Sequence, residues 1–243
     1  MVKVWDRESG RVSKIGGSRR AAGGGYYPAP WEAPLIVGKV AAWVEGVGPD
    51  QLNELIVVDL ETGARHVVRR GHIAWVSTFG GSIVWAESYK RGATTKLRAV
   101  DHTTLKPATL PPALKGVRGA GYLASNGNAS AWIHTTRDPK SGSASYSLVV
   151  SPSPTTPGRT IVTLDVGGFS PPILVTQTSA IAQLSEGGAY VVDLRTGRWA
   201  LHKGVYGANQ AGPNVLLAGS SDNHPNGALA ILSPKDAANI LTK

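Results

Sequence analysis

A chain of 243 residues with 30 Gly, 16 Pro, no Cys and a net charge of +9 can bury a sizeable core, but it can form neither disulfides nor thiolate metal sites. No apolar run reaches the length of a membrane-spanning helix. The basic balance favours polyanionic partners (nucleic acid, acidic glycans or anionic lipid surfaces) and competes with the plainer reading of a solvated basic surface.

The chain opens with "VKVWDRESGRVSKI" (Val2–Ile15), in which apolar and charged residues alternate around a turn. It predicts a hairpin and lacks the apolar core of a signal peptide, so either export by that route is not expected or a leader is missing from this chain. "GGSRRAAGGG" (Gly16–Gly25) reads as a flexible linker, with Arg19 and Arg20 expected to face solvent and, as the alternative, to grip an anion. From there on, Val, Ile and Thr recur between Gly- and Pro-rich turns, which is strand and turn chemistry.

Five inner strands are predicted at "APLIVG", "IAWVSTF", "AGYLAS", "PILVTQ" and "GANQAG". Each precedes a second strand: "VAAWVEG" with Trp43, "SIVWAES" with Trp85, "SAWIHT" with Trp132, then "SAIAQLS" and "NVLLAGS". "GG" at Gly80–Gly81 and "NGN" at Asn126–Asn128 are the hairpin turns between first and second strands. Further on, Asp6, Asp59, Asp101 and Asp193 each close an apolar run and begin a turn: "DRESG", "DLETG", "DHTTL" and "DLRTG". Ser151 and Ser233 hold the same place in two degenerate copies. An Asp at this point accepts hydrogen bonds from backbone N–H groups just ahead of it, and Gly63 or Gly197 supplies a positive φ before the next strand.

From Asp59 onward the marker recurs every 40 to 50 residues. That period, written in short alternating strands, predicts an all-β fold: a single β-propeller of five four-stranded blades, at about 26–71, 72–116, 117–167, 168–205 and 206–243. Residues 1–25 then form an extra N-terminal outer-strand hairpin with its linker. The alternative is six blades, with the hairpin as half of the sixth. Trp43, Trp85 and Trp132 are expected to wedge between blades; a sugar-stacking platform would need them exposed.

These repeats resemble those of the bacterial TolB-like, YVTN and PQQ-like propeller groups. "AYVVDLRTGRW" (Ala189–Trp199) is similar to a PQQ-type repeat in its apolar strand, Asp, Thr-Gly turn and following Trp, and "VKVWD" resembles a WD repeat. The resemblance implies the fold. Larger PQQ enzymes imply a cofactor site, but no matching residues are present here, and no cofactor is expected.

No catalytic residue is assigned. Glycoside cleavage needs two convergent carboxylates; the inner strands contain none, and Glu45 and Glu87, at equivalent places past Trp43 and Trp85, read as polar strand ends before they read as an acid–base pair. The six His show no metal-binding spacing, and no metal site is expected. One face gathers basic loop residues instead: Arg69, Arg70, His72, Lys90, Arg91, Lys115, Arg118, Arg137 and Lys140, with Tyr89 placed to stack. This is the expected polyanion or partner face.

The function expected is non-enzymatic: a rigid binding or structural module in a larger assembly, such as a phage tail or other virion part, or a cell-surface complex. The hairpin is one expected contact with a protein partner, by strand addition. A virion or cell-surface location is favoured over the cytoplasm. The alternative is a carbohydrate-active enzyme or lectin-like glycan binder. Oligomeric state is left open.

Overall fold

The computed structural model describes residues 2–6, 8–27, 34–49, 52–90, 94–165, 167–211, 214–221 and 224–236. The chain forms two compact units, Met1–Val76 with Ser82–Thr109, and Ser77–Gly81 with Leu110–Lys243.

In the first unit a hairpin of β1 (Val2–Trp5) and β2 (Val12–Gly16) precedes a six-stranded sheet. The sheet takes its strands in chain order: β3 (Leu35–Val37), β4 (Val40–Gly48), β5 (Leu52–Asp59), β6 (Arg65–Phe79), β7 (Ser82–Ser88) and β8 (Lys96–Asp101). Two predicted repeats share this one sheet because β6 runs on for 15 residues. Its first half, Arg65–Gly71, pairs with β5, and its continuation is the inner strand "IAWVSTF" beside β7. The apolar positions of these strands meet in a core of Ala42, Leu55, Val57, Ile73, Ile83, Trp85 and Val100.

The opposite face of β4 and β5 carries Ala41, Trp43, Ile56 and Val58, and the hairpin covers it with Val2 and Ile15. The hairpin therefore has a partner within its own chain. The glycine-rich stretch after it is bonded in place instead of hanging free. The Gly17 N–H donates to Glu45 Oε1 at 2.8 Å and the Arg19 N–H to the Gly46 carbonyl at 2.9 Å. The Gly46 N–H reaches Ser18 Oγ at 3.0 Å, and the Arg19 guanidinium pairs with buried Glu54 at 3.2 Å. Glycine serves here for clearance: a Cβ on Gly16 would run into the Trp43 ring and the Glu45 carboxylate.

The second unit holds β9 (Ala120–Ser125), β10 (Ser130–Arg137), β11 (Ala144–Ser151) and β12 (Arg159–Leu164) in one four-stranded antiparallel sheet. A second comprises β13 (Phe169–Val175), β14 (Ser179–Leu184), β15 (Ala189–Asp193) and β16 (Trp199–His202). Three strands, β17 (Val205–Ala211), β18 (Asn214–Ser221) and β19 (His224–Leu232), make the last. One core joins the first two sheets through Ile133, Leu148, Phe169, Ile173 and Tyr190; another joins the second to the third through Ile181, Val191, Val205 and Val215. The architecture is all-β and of propeller type, and within the second unit the three sheets stack through these cores.

The Asp turns sit where third strand gives way to fourth. Asp59 Oδ1 accepts from the Glu61 and Thr62 N–H groups at 2.8 and 2.7 Å, Asp101 from Thr103 and Thr104 at 3.1 and 2.7 Å, and Asp193 from Thr196 at 2.6 Å. Asp6 accepts from the Glu8 N–H at 3.0 Å. Gly63 and Gly197 both have φ of +72°; in the "DHTTL" copy Leu105 takes that place at +55°. Asp138, in the β10–β11 turn, repeats the device with Lys140 at 2.8 Å, outside the predicted set of Asp turns. Among the described residues two repeats depart from the expected four strands: the last sheet has three, and the repeat of β7 and β8 has no regular fourth. After β8 the fourth strand is reduced to the Val100–Pro107 bridge and the Ala108 N–H to Ala99 carbonyl bond, since Pro107, Pro111 and Pro112 lack N–H groups for a ladder.

Candidate anion-binding site

The sequence writes Trp-x-Glu twice, at Trp43–Glu45 and Trp85–Glu87. In a strand residues two apart share a face, so each carboxylate lies beside its own indole. Trp43 Nε1 donates to Glu45 Oε1 at 2.8 Å, and Trp85 Nε1 to Glu87 Oε2 at 3.2 Å. Each also takes an arginine from β6. Arg65 Nη2 reaches Glu45 Oε2 at 3.0 Å; Arg69 grips Glu87 with Nε at 2.9 Å and with Nη2. Burial works against ionisation of Glu87, but the hydrogen bonds from Arg69 and Trp85 and the charges of Arg69 and Arg98 outweigh it and hold the carboxyl below its ordinary range. Both carboxylates are thus engaged in fixing indole and guanidinium groups.

A pocket of about 400 Å3 opens beside Glu87. Arg69, Arg70, His72, Lys96 and Arg98 line it, with Glu87 as its carboxylate and Tyr89 at the rim, 80% exposed. Two local features aim these residues. The β5–β6 register slips between Leu55 and Ile56, which face Arg69 and Val67, so Val68 is the extra residue of a bulge. A bulge re-aims the side chains that follow it, here Arg69 and Arg70. On β8, Lys96 and Arg98 are two apart and directly opposite Glu87 and Trp85 of β7.

Four permanent cations therefore surround one carboxylate. Arg69 is committed to Glu87, and Arg70 lies 3.9 Å from Glu54. Lys96 and Arg98 make no ion pair among the described residues. His72 Nδ1 is enclosed and has no hydrogen-bond partner among them. A second recess of about 360 Å3 adjoins the first. It shares Arg69, Glu87 and Arg98 with it and adds Val68, Trp85, Ala99, Val100 and Pro107. An anion entering the first pocket meets charge-assisted donors in a concave, partly desolvated setting.

Of the predicted partner face, Arg69, Arg70 and Tyr89 come together here, and Lys90 Nζ sits 5.5 Å from the centre of the Tyr89 ring. Arg91 lies outside the described residues. Lys115, Arg118 and Arg137 are exposed in the second unit. Trp43, Trp85 and Trp132 are 3%, 4% and 3% exposed. Asp6, Asp59, Asp101 and Asp193, with Gly63 and Gly197, occupy hairpin turns. Lys96 and Arg98 lie outside the predicted face; their signal in the sequence is "KLR", an alternating cation pair in the strand that follows a Trp-x-Glu strand. No helix among the described residues is long and apolar enough to cross a membrane.

No protein-family model matches the chain, and no curated protein matches it in sequence. Solved structures do match in fold. The acylaminoacyl peptidase of Pyrococcus horikoshii is similar over 84% of this chain and 38% of its own, at 12% identity and a TM-score of 0.57. The β-propeller domain of the Trilobed protease from Pyrococcus furiosus is similar over 84% of this chain and 69% of its own, at 12% identity and a TM-score of 0.55. A chain of the nidogen/laminin complex is similar over 83% of this chain and 78% of its own, at 14% identity and a TM-score of 0.51. The chain thus spans about two fifths of the peptidase's length. At such identities the likeness establishes the fold alone, and that fold is a β-propeller.

Proposed function

We propose that the chain is a non-enzymatic propeller module that holds an anionic group of a partner in the pocket beside Glu87. The observation that carries this reading is the four-to-one excess of permanent cations over carboxylates in a concave site, with Lys96 and Arg98 unpaired among the described residues. The geometry suits carboxylate, sulfate or phosphate, which arginine recognises through paired N–H donors. The test replaces Arg70, Lys96 and Arg98 together by Ala and titrates a heparin-derived hexasaccharide and a hexaglutamate peptide at low salt. At least one of the two is expected to bind the unaltered protein and to lose tenfold or more with the triple variant, with a shallower salt dependence. Equal binding by both proteins removes the reading.

A second reading, membership of a larger assembly, has its own observation. The outward face of the N-terminal hairpin presents Trp5 and Val12 directly opposite one another, 62% and 57% exposed. On the last sheet Leu229 and Ile231 are 71% and 64% exposed. Apolar pairs of this kind are what a neighbouring subunit covers. Sedimentation of the protein with Trp5→Ser and Leu229→Ser, against the unaltered chain, tests it: self-association that does not change with these substitutions counts against the reading. The count of five blades, with 1–25 as an added hairpin, is part of the same proposal.

A further inference from the structure

The two recesses around Arg69, Glu87 and Arg98 differ in chemistry, and they differ in the same direction on both walls. Along β8, Lys96, Arg98 and Val100 share a face at alternate positions, which reads cation, cation, apolar. Along β6 the order is Arg70, Arg69, Val68, again cation, cation, apolar. Trp85 and Pro107 extend the apolar end.

We propose that this graded cleft binds an extended acidic peptide segment with the pattern acid–x–acid–x–apolar. The inference rests on the anion-binding reading and names the ligand class of that site. In an extended peptide residues two apart lie about 6.5–7 Å from one another on one face, the same repeat that sets Lys96, Arg98 and Val100 apart. Two carboxylates at alternate positions match the two cations of β8, and the next same-face side chain falls over the accessible Val68 and Pro107, since Trp85 and Val100 are each 4% exposed. A sulfated glycan satisfies the cationic end equally well but has nothing to place against Val68 and Pro107. Charge also excludes a second copy of this edge, since like charges on facing strands repel.

The experiment measures binding of acetyl-Glu-Ser-Glu-Ser-Leu amide to the full chain by fluorescence anisotropy. It is set against the same peptide with Gly in place of Leu, the register-shifted peptide acetyl-Glu-Glu-Ser-Leu-Ser amide, and a heparin-derived hexasaccharide. The Leu peptide is expected to bind at least tenfold more tightly than the Gly and shifted peptides, the scale set by burying one Leu side chain. That advantage shrinks to twofold or less with Val68→Ser, a change at a half-buried position that leaves every cation in place. If all three peptides bind alike, the graded cleft is refuted while the anion pocket stands. The graded cleft is refuted in the same way if the hexasaccharide binds and no peptide does. If no probe binds, both readings fall.

Discussion

The two Trp-x-Glu pairs are the same chemistry put to different use. At Trp43–Glu45 the N-terminal hairpin lies across the sheet, and the Gly17 N–H joins the indole and Arg65 on the carboxylate, which is 4% exposed. At Trp85–Glu87 the Glu87 side chain stays 13% exposed beside open pocket volume. A buried carboxylate with three donors is a structural joint. A carboxylate with two donors and an adjoining recess is one wall of a pocket. The repeat supplies identical parts, and what covers them decides whether they are sealed into the fold or line an open recess.

Substitutions at the two joints break this comparison most directly. Glu45→Ala leaves the Trp43 indole N–H and the Gly17 N–H without partners in a buried place, and is expected to cost about 3 kcal/mol. Glu87→Ala leaves groups that water can reach, and about 1 kcal/mol is expected. Urea denaturation of the two variants measures the difference; equal losses would mean that cover does not matter. Two glycines sharpen the same point. Gly16→Ala drives a Cβ into Trp43 and Glu45 and is expected to cost about 2 kcal/mol through overpacking. At Gly71 a Cβ would sit 3.7 Å from Glu87 Oε1, an ordinary contact, so Gly71→Ala is expected to stay within about 0.5 kcal/mol.

The pH dependence should separate the open joint from the rest of the molecule. The folded-state value of Glu87 lies below the ordinary 4.5. Its ionised form therefore stabilises the protein at pH above about 4.5, and that contribution is lost as pH falls through the lower folded value. Glu87→Gln removes it, so the variant's stability should fall less steeply than the parent's between neutral pH and pH 3. The turn carboxylates Asp59 and Asp101, held low by backbone N–H groups of Thr62 and Thr104, keep contributing to the acid limb in both proteins. Identical slopes for parent and variant would show that Glu87 gains nothing from Arg69 and Trp85.

The parts of this molecule legible in the sequence are those fixed by a few adjacent residues. The Asp turns are readable because Asp59 or Asp193 and its glycine act within five residues of each other. Arg69, Arg70 and Tyr89 are readable as a cluster because basic residues gather where one repeat passes to the next, although Arg69, Arg70 and His72 lie within β6 and not in a loop as expected. Lys96 and Arg98 are not, because their role depends on which strand of the sheet faces Glu87, and that is set by β7–β8 register. The cover over Glu45 is the least readable. Gly16 and Gly17 look like freedom for a linker, whereas their lack of a side chain lets the hairpin close on Trp43.

The smallest effect tests how local the turn logic is. Gly63 and Gly197 meet the positive φ at no cost, while Leu105 meets it at +55° with a side chain that packs, half-buried, on the core of the first unit. Left-handed backbone costs a residue with a Cβ about 1–2 kcal/mol. A half-buried Leu contributes about 1 kcal/mol from its buried area, taken as half the value of full burial. Leu105→Gly exchanges one for the other, so the net change is expected to lie within about 1 kcal/mol of zero. Leu105→Ala keeps the strain and loses most of the packing, and should be the less stable of the two by thermal melting. If the Gly variant melts lower than the Ala variant, the positive φ at this place carries no strain for a residue with a Cβ.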